Sequence, residues 1–324
     1  MTKRALITGI GGFVGSHLAE YCLSKDIEVW GVSRRPIPKK LSFADDPHVH
    51  HIDADLMDAH SLFAAVREVM PDYVFHLAAQ SFVPTSWVSP TVTLETNIVG
   101  TANLFEAVRK AGGTPVIQIA GSSEEYGLVK ENEVPITENS PLRPQSPYGV
   151  SKVAMDYLGY QYSCSYHMNI IRTRAFNHTG PRRTETFAES NFARQIARIE
   201  AGLEEPIVRV GNLDAIRDYT DVRDIVAAYV LAMEHCVAGE AYNICSGNGI
   251  RIGDMLETLL SLSTKKIQVE HDPARMRPSE VPRLIGDGSK FRLATGWEPK
   301  IPFDTTLADL LGYWRKEVKT SESA

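Results

Sequence analysis

The chain has 324 residues, 43% of them apolar, and a formal net charge of -6, enough to bury one large core plus a smaller lobe. The acidic balance leaves no basic footprint for nucleic acid or an acidic membrane surface, and no apolar run approaches the roughly 18 to 20 residues of a membrane span. Cys22, Cys164, Cys236 and Cys245 show neither metal-ligand spacing nor a pairing pattern, so buried free thiols, no metal and a cytoplasmic location are expected.

Residues 5–8 read as a buried strand, because a short apolar run stops at a glycine cluster, and residues 13–24 carry helical spacing at Val14, Leu18, Tyr21 and Cys22. Between them stand Gly9, Gly11, Gly12 and Gly15, with Phe13 and Val14. Glycine there permits a tight turn, close backbone approach to a diphosphate and tight helix packing, while the helix amino terminus offers unpaired amide donors. A lone glycine cluster signals only a turn; between a strand and a helix it predicts a dinucleotide site.

A second strand over 28–32 runs into Ser33, Arg34 and Arg35. A carboxylate at this place suits the ribose hydroxyls of NAD, whereas two guanidinium groups and a hydroxyl suit the 2′-phosphate of NADP. NADPH is therefore the expected cofactor, with NADH the alternative and a pair of solvated arginines the bland reading. Asp55 and Leu56 fit an adenine-edge contact, although Asp53, Asp55 and Asp58 equally fit a solvated loop. A helix over 61–70 and a strand over 73–77 follow, and Leu77, Ala78, Ala79 and Gln80 suit close passage beside the cofactor ribose.

After a helix over 97–110 and a strand over 116–120 comes a hydroxyl-rich loop, Ser122-Ser123-Glu124. Tyr148 and Lys152 then open a long helix over 148–166, four residues apart and so on one face. A hydride delivered to a ketone leaves an alkoxide that must be protonated, which a phenol achieves when a nearby cation stabilises its anion. Ser122 is placed to hold the substrate oxygen; a chance surface pair is the competing reading of Tyr148 and Lys152. With a further strand over 169–172, the alternation predicts an α/β fold, a Rossmann-type doubly wound parallel sheet with ligands at the carboxyl ends of its strands.

Beyond Arg174 the pattern loosens. A helix over 187–201 and strands over 206–210 and 241–245 remain legible, the last returning to the main sheet. The expected organisation is a dinucleotide-binding domain over 1–173 with a returning segment about 212–246, and a smaller discontinuous substrate lobe over 174–211 and 247–324. Asp218 and Asp224 read as helix caps or ion-pair partners rather than catalysts.

Residues 121–127 (GSSEEYG), 176–183 (FNHTGPRR), 210–218 (VGNLDAIRD) and 277–282 (RPSEVP) narrow the reading further. Across essentially its whole length the chain resembles an extended short-chain dehydrogenase/reductase of the GDP-mannose branch, which contains GDP-mannose 4,6-dehydratases and GDP-4-keto-6-deoxy-D-mannose reductases. The resemblance implies that Asn177 bonds the sugar or diphosphate, that Arg183, Asn191 and Arg194 line the nucleotide site, that Arg217 pairs with the diphosphate, and that Arg277, Ser279 and Glu280 meet the guanosine ribose. Two phosphate charges on an acidic protein call for localised arginine, while a structural salt bridge is the alternative for any one of them.

Glu124 stands where the dehydratases of the branch keep the carboxylate that removes the C5 proton, so the motif leaves dehydration open. The short chain and the reductase-like stretches over 119–127 and 277–287 favour reduction, and dehydratases resemble one another in a threonine at the Ser122 position and a different filling of the first glycine loop. No cysteine stands in the catalytic loops to epimerise a sugar. The resemblance thus implies NADPH-dependent reduction of the C4 ketone of GDP-4-keto-6-deoxy-D-mannose to GDP-D-rhamnose, with Tyr148 as proton donor. A GDP-mannose 4,6-dehydratase and a non-catalytic NADP-sensing protein are the alternatives. It also implies a homodimer through the helices over 97–110 and 148–166, with Met155, Leu158 and Tyr162 at helical spacing to form the contact; packing inside the monomer is the other use for them.

Overall fold

Residues 2–275 and 281–322 are described by the structure, a computed structural model. In chain order the first half contains β1 (Arg4–Thr8), α1 (Phe13–Leu23), β2 (Glu28–Ser33), β3 (Val49–Asp53), α2 (Ala59–Val69) and β4 (Tyr73–His76). Then α3 (Val83–Val88), α4 (Pro90–Leu94), a π-helical turn (Glu95–Val99) and α5 (Gly100–Ala111) lead to β5 (Val116–Ser122), α6 (Pro147–Tyr166) and β6 (Asn169–Ala175). The remainder holds β7 (Asn177–Thr179), α7 (Ala188–Glu200), β8 (Ile207–Val210), β9 (Ile216–Asp221), α8 (Val222–His235) and β10 (Ala241–Ile244). It closes with β11 (Gly249–Arg251), α9 (Ile252–Ser261), β12 (Gln268–His271), β13 (Arg283–Leu284), α10 (Ser289–Thr295) and α11 (Phe303–Glu322).

Seven strands form one sheet in the order β10-β6-β5-β4-β1-β2-β3, and every pairing is parallel. Successive side chains of a strand face opposite ways, so both faces must be apolar once helices cover both. Ala5 and Ile7 of β1 pack with α1 and α8, through Leu18, Ile225 and Tyr229. Leu6 joins Val74 and Ile117 beneath α2, α5 and α6. The local signals that start the helices are ordinary ones: Asp58 caps α2 by accepting from His60 N–H, Asp221 caps α8 through Arg223 N–H, and Ser146 caps α6 through Gly149 N–H, with Pro147 at its first turn.

The smaller lobe has a third apolar core, in which Phe192 and Ile196 of α7 meet Leu256 of α9 and Leu310 and Trp314 of α11. Its sheet runs β11-β9-β13, with β7 also paired to β9, and β12 pairs β8. Three details depart from the sequence reading. The return to the main sheet starts at α8 rather than near residue 212, because β9 belongs to the small sheet and, within that segment, α8 and β10 pack on the large one. Met155, Leu158 and Tyr162 lie in the core beside α5 rather than on an outer face; on α6 the exposed apolar side chains are Val150, Tyr157, Tyr160 and Tyr166. All four cysteines are free, but Cys164 is exposed and Cys236 only half-buried, so the expectation of buried thiols holds for Cys22 and Cys245 alone.

Candidate active site

The carboxyl end of β1 passes into the glycine loop. Gly9 adopts φ +75, the left-handed region where a side chain is strained, and its Cα lies so near Ala78 that a Cβ would sit 3.1 Å from the Ala78 Cα. Gly15 is tighter: its Cβ would fall 2.2 Å from the Gly9 carbonyl oxygen. These contacts press α1 against the loop, and α1 begins at Gly12 with no side-chain cap and no acidic residue in its first turn. Its amide donors therefore keep the positive end of the helix open to a diphosphate.

Arg34 and Arg35, at the end of β2, are both exposed, and Arg34 is 77% accessible with Asp55 at 3.9 Å. Ser33 is committed elsewhere: its hydroxyl donates to the Arg35 carbonyl at 2.8 Å and meets His51 Nε2 at 3.0 Å. It orders the turn that carries the two arginines. Asp55 accepts from Met57 N–H at 2.9 Å, whereas Leu56 is packed in the core. Across the loop, Leu77, Ala78 and Ala79 are half-buried, and Thr8 Oγ1 accepts from both Leu77 and Ala78 N–H at 3.1 Å. Having spent its lone pairs, Thr8 donates its proton to His76 Nδ1 at 3.0 Å, which leaves Nε2–H of a neutral imidazole to donate to Thr101 Oγ1 at 2.9 Å. Burial, then the Lys152 ammonium, lowers the His76 pKa to about 3.

The proton-transfer residues meet where β5 ends. Ser122 leads a short 3-10 turn that carries Glu124 and Glu125, and its hydroxyl accepts from Glu124 N–H at 3.2 Å. Tyr148 is 8% exposed, and the Ser122 hydroxyl stands near enough to oppose the rise in its pKa. Burial first, then the Glu124 and Glu125 carboxylates, raise its pKa, so the phenol keeps its proton at neutral pH. Lys152 places Nζ 5.7 Å from the Tyr148 ring centre and donates to the Ala120 carbonyl at 2.7 Å. Burial lowers its pKa to about 8, which leaves the amine charged for the most part near neutrality.

Arg183 joins this cluster from the other lobe. Its guanidinium lies 3.3 Å from the Phe187 ring centre and 4.9 Å from that of Phe13, with Glu189 at 3.5 Å, and Nε makes no hydrogen bond. It lowers the Tyr148 pKa against the stronger effect of burial. One cation therefore links the glycine loop, the lobe and the phenol. Asn177 lies on β7, half-buried, and the buried Arg217 bonds the Ile216 carbonyl at 2.9 Å and that of Pro282 at 3.4 Å. Two expected ligands are engaged within the protein: Asn191 Oδ1 accepts from Arg275 at 2.8 Å and from Gln195 at 2.7 Å, and Arg194 lies over the Trp314 ring at 5.9 Å. Arg277, Ser279 and Glu280 lie outside the described residues. Among the described residues Asp218 and Asp224 neither cap a helix nor form an ion pair; Asp218 accepts from the N–H groups of Ser246, Gly247 and Gly286, and Asp224 from those of Lys300 and Ile301.

Two positions escaped the sequence reading. Asn97, fully buried in the π-helical turn, accepts from Gln80 N–H at 2.8 Å and donates to the Gln80 carbonyl at 3.0 Å and to Ser151 Oγ at 2.8 Å. Gln80 itself clamps Phe82 and Thr93 through its side chain, so it shapes the loop that follows β4. Glu125 is the second, 0% exposed. A polar residue on the apolar stripe of a helix was the available signal for Asn97; the doubled glutamate gave none that tells Glu125 from Glu124.

A parallel sheet with a glycine loop at one strand end, and a serine, a tyrosine and a lysine gathered at another, defines an oxidoreductase of the extended short-chain dehydrogenase/reductase class. The chain belongs to the GDP-mannose 4,6 dehydratase family, whose profile matches residues 6–310. It is 35% identical to the GDP-6-deoxy-D-mannose reductase of Pseudomonas aeruginosa, over 98% of this chain and 99% of that protein. It is 33% identical to a GDP-mannose 4,6-dehydratase of Vibrio cholerae, over 96% and 93%. Among solved structures, RMD from Pseudomonas aeruginosa complexed with NADPH superposes with a TM-score of 0.86 at 33% identity, covering 98% of this chain and 100% of that one. A UDP-glucose 4-epimerase from Thermotoga maritima gives 0.87 at 27% identity, over 97% and 99%.

Proposed function

We propose that the protein reduces the C4 ketone of GDP-4-keto-6-deoxy-D-mannose with NADPH, giving GDP-D-rhamnose, as a step of GDP-rhamnose biosynthesis in the cytoplasm. The observation that carries this reading is a buried phenol that keeps its proton, with Ser122 beside it and the Lys152 ammonium behind, at the strand ends that also carry the glycine loop. That is the ionisation state a proton donor needs. The similarity to a GDP-6-deoxy-D-mannose reductase supports the same choice.

The open amino end of α1, the close approach of Gly9 to Ala78 and the exposed Arg34 and Arg35 suit a dinucleotide with a 2′-phosphate. NADPH held there would supply the hydride. Ser122 holds the carbonyl oxygen, Tyr148 gives it a proton, and Lys152 stabilises the phenolate left behind. Arg183, cationic and with no hydrogen bond on its Nε, meets the sugar or its diphosphate from the lobe side, together with Asn177 and Arg217. Arg277, Ser279 and Glu280 are assigned to the guanosine ribose. The protein works as a homodimer whose contact is made by the outer face of α4, the π-helical turn and α6, where Val92, Val99, Val150 and Tyr157 are exposed.

Glu124, half-buried and close enough to raise the Tyr148 pKa, supports a second reading, a dehydratase with this carboxylate as the C5 base. Purified protein with enzymatically prepared keto sugar and NADPH separates the two. A reductase oxidises one NADPH for each sugar converted, and NMR identifies a 6-deoxy sugar; rapid consumption of GDP-mannose with only a trace of NADP assigns the dehydratase. Tyr148→Phe is expected to lower kcat by about 10²- to 10⁴-fold with the fold intact, and near-normal turnover rejects the assignment of Tyr148.

A further inference from the structure

Between β7 and α7 the chain turns sharply, and the residue at the tightest point is an unusual one for its backbone. Arg183 N–H donates to the Gly180 carbonyl at 3.2 Å, closing a four-residue turn in which Pro181 is second and Arg182 third. Arg182 has φ +73. A turn with proline second and a left-handed third residue favours glycine or asparagine there, since other side chains are strained on that backbone. An arginine persists at such a place only when its surroundings hold it.

Those surroundings are α1. The Arg182 guanidinium forks onto the Glu20 carboxylate, Nη1 to Oε1 at 2.9 Å and Nη2 to Oε2 at 2.6 Å. Nη2 also donates to His17 Nδ1 at 2.6 Å, while His17 Nε2–H donates to the Pro181 carbonyl at 2.9 Å, as one tautomer of a neutral ring allows. One turn nearer the glycine loop, Phe13 stacks on His178 with ring centres 6.2 Å apart and planes 7° from parallel. Phe13, His17 and Glu20 are spaced four and three residues apart and so share one face of the helix. Along that face α1 holds residues 178–182 of the lobe. Glu20 Oε1 also accepts from the Ser42 hydroxyl at 2.6 Å, in the stretch that follows Arg34 and Arg35.

The residue after this grip is Arg183, whose guanidinium lies over the Phe13 and Phe187 rings. Its polar anchors, Glu189 at 3.5 Å and the Ser190 hydroxyl on its carbonyl at 2.6 Å, both belong to α7 and tie it only to the small lobe. Registration against the cofactor side comes from its neighbour in the turn. We infer that Arg182 is a positioning residue: by gripping Glu20 and His17 on the helix that starts at the glycine loop, it sets Arg183 where the diphosphate of the sugar nucleotide lies. The inference rests on the functional reading above for the identity of that ligand.

The test is Arg182→Gly. Glycine suits φ +73, so the turn is kept while the grip on α1 is lost. With NADPH bound, the Kd for GDP, read by calorimetry, is expected to rise about tenfold or more, and KM for the keto sugar with it, because the weakened contact is to the diphosphate and not to the reacting carbon. At saturating sugar kcat should stay within about twofold, as should the affinity for NADPH read by fluorescence titration. Arg182→Lys, which keeps the charge but cannot fork onto Glu20, should fall between parent and Arg182→Gly. A purely structural salt bridge gives another pattern: a smaller active fraction lowers kcat and leaves KM and Kd as they were. That pattern overturns the inference, and so does a set of values unchanged throughout. Should Arg182→Gly not fold, Arg182→Asn, which also tolerates a left-handed backbone and is too short to fork onto Glu20, is read in the same way. A parent inert toward the keto sugar whose GDP affinity still drops on Arg182→Gly removes the reductase reading and leaves this one standing; a parent that binds no GDP overturns both.

Discussion

Asn97 ties the cofactor side of the site to the catalytic helix. Its amide spans Gln80 on one side and Ser151 on the other, and Ser151 in turn donates to the Tyr148 carbonyl at 2.7 Å. A π-helical turn gives an inward polar side chain the extra reach that a regular helix lacks there. Asn97→Ala leaves the Gln80 N–H and carbonyl buried and unpaired, at roughly 1 to 3 kcal/mol for each such group. Urea unfolding should therefore show a loss of about 2 to 4 kcal/mol, and kcat should fall as Tyr148 loses its support. A loss under about 0.5 kcal/mol would mean that these bonds are replaced when the side chain goes.

The first strand, glycine turn and helix are a local unit, contiguous within residues 4–23. Gly15→Ala tests the unit directly. The added Cβ would occupy the place of the Gly9 carbonyl, so α1 must lift from the loop, and NADPH affinity, read from cofactor fluorescence on titration, is expected to fall at least tenfold. Unchanged affinity would show that the loop adjusts at no cost to binding. The same locality explains why this unit and the Tyr148–Lys152 helix could be read from sequence: a strand-to-helix switch and a spacing of four are set by neighbours in the chain. The substrate wall could not, since β7, β9 and the Arg183 loop meet the phenol only through tertiary packing. The α6 face was misjudged for a related reason. Val150, Met155, Tyr157 and Tyr162 place apolar groups all around that helix, so periodicity alone does not tell which face meets α5 and which stays outside.

Over the whole molecule, the buried His17 and His76 and the half-buried His178 set the response to acid. Burial lowers the pKa values of His17 to about 4, His76 to about 3 and His178 to about 4, assisted by Arg182, Lys152 and Arg183 in turn. Each stays neutral in the native state while the unfolded chain takes up protons below its ordinary value of 6.5. Stability is therefore lost as pH falls from about 6.5 toward 4, by roughly 1 kcal/mol per histidine per pH unit. Glu125, whose pKa is raised by burial, acts with the opposite sign and offsets part of that slope. The urea midpoint should be clearly lower at pH 5 than at pH 7, and His76→Gln, which can still bridge Thr8 and Thr101, should flatten the dependence; an equal slope in the variant would remove His76 from this account. The order of strands has a consequence for biosynthesis as well. The outer neighbour of β6 is β10, which ends at Ile244, and Phe291 and Trp297 complete the layer above it. As the chain leaves the ribosome, the edge of β6 must wait, uncovered, while the whole of β7, β8 and β9 is made. The first 175 residues are thus not a transplantable cofactor module, and a chaperone meeting the nascent protein would find its sticky surface at that waiting edge.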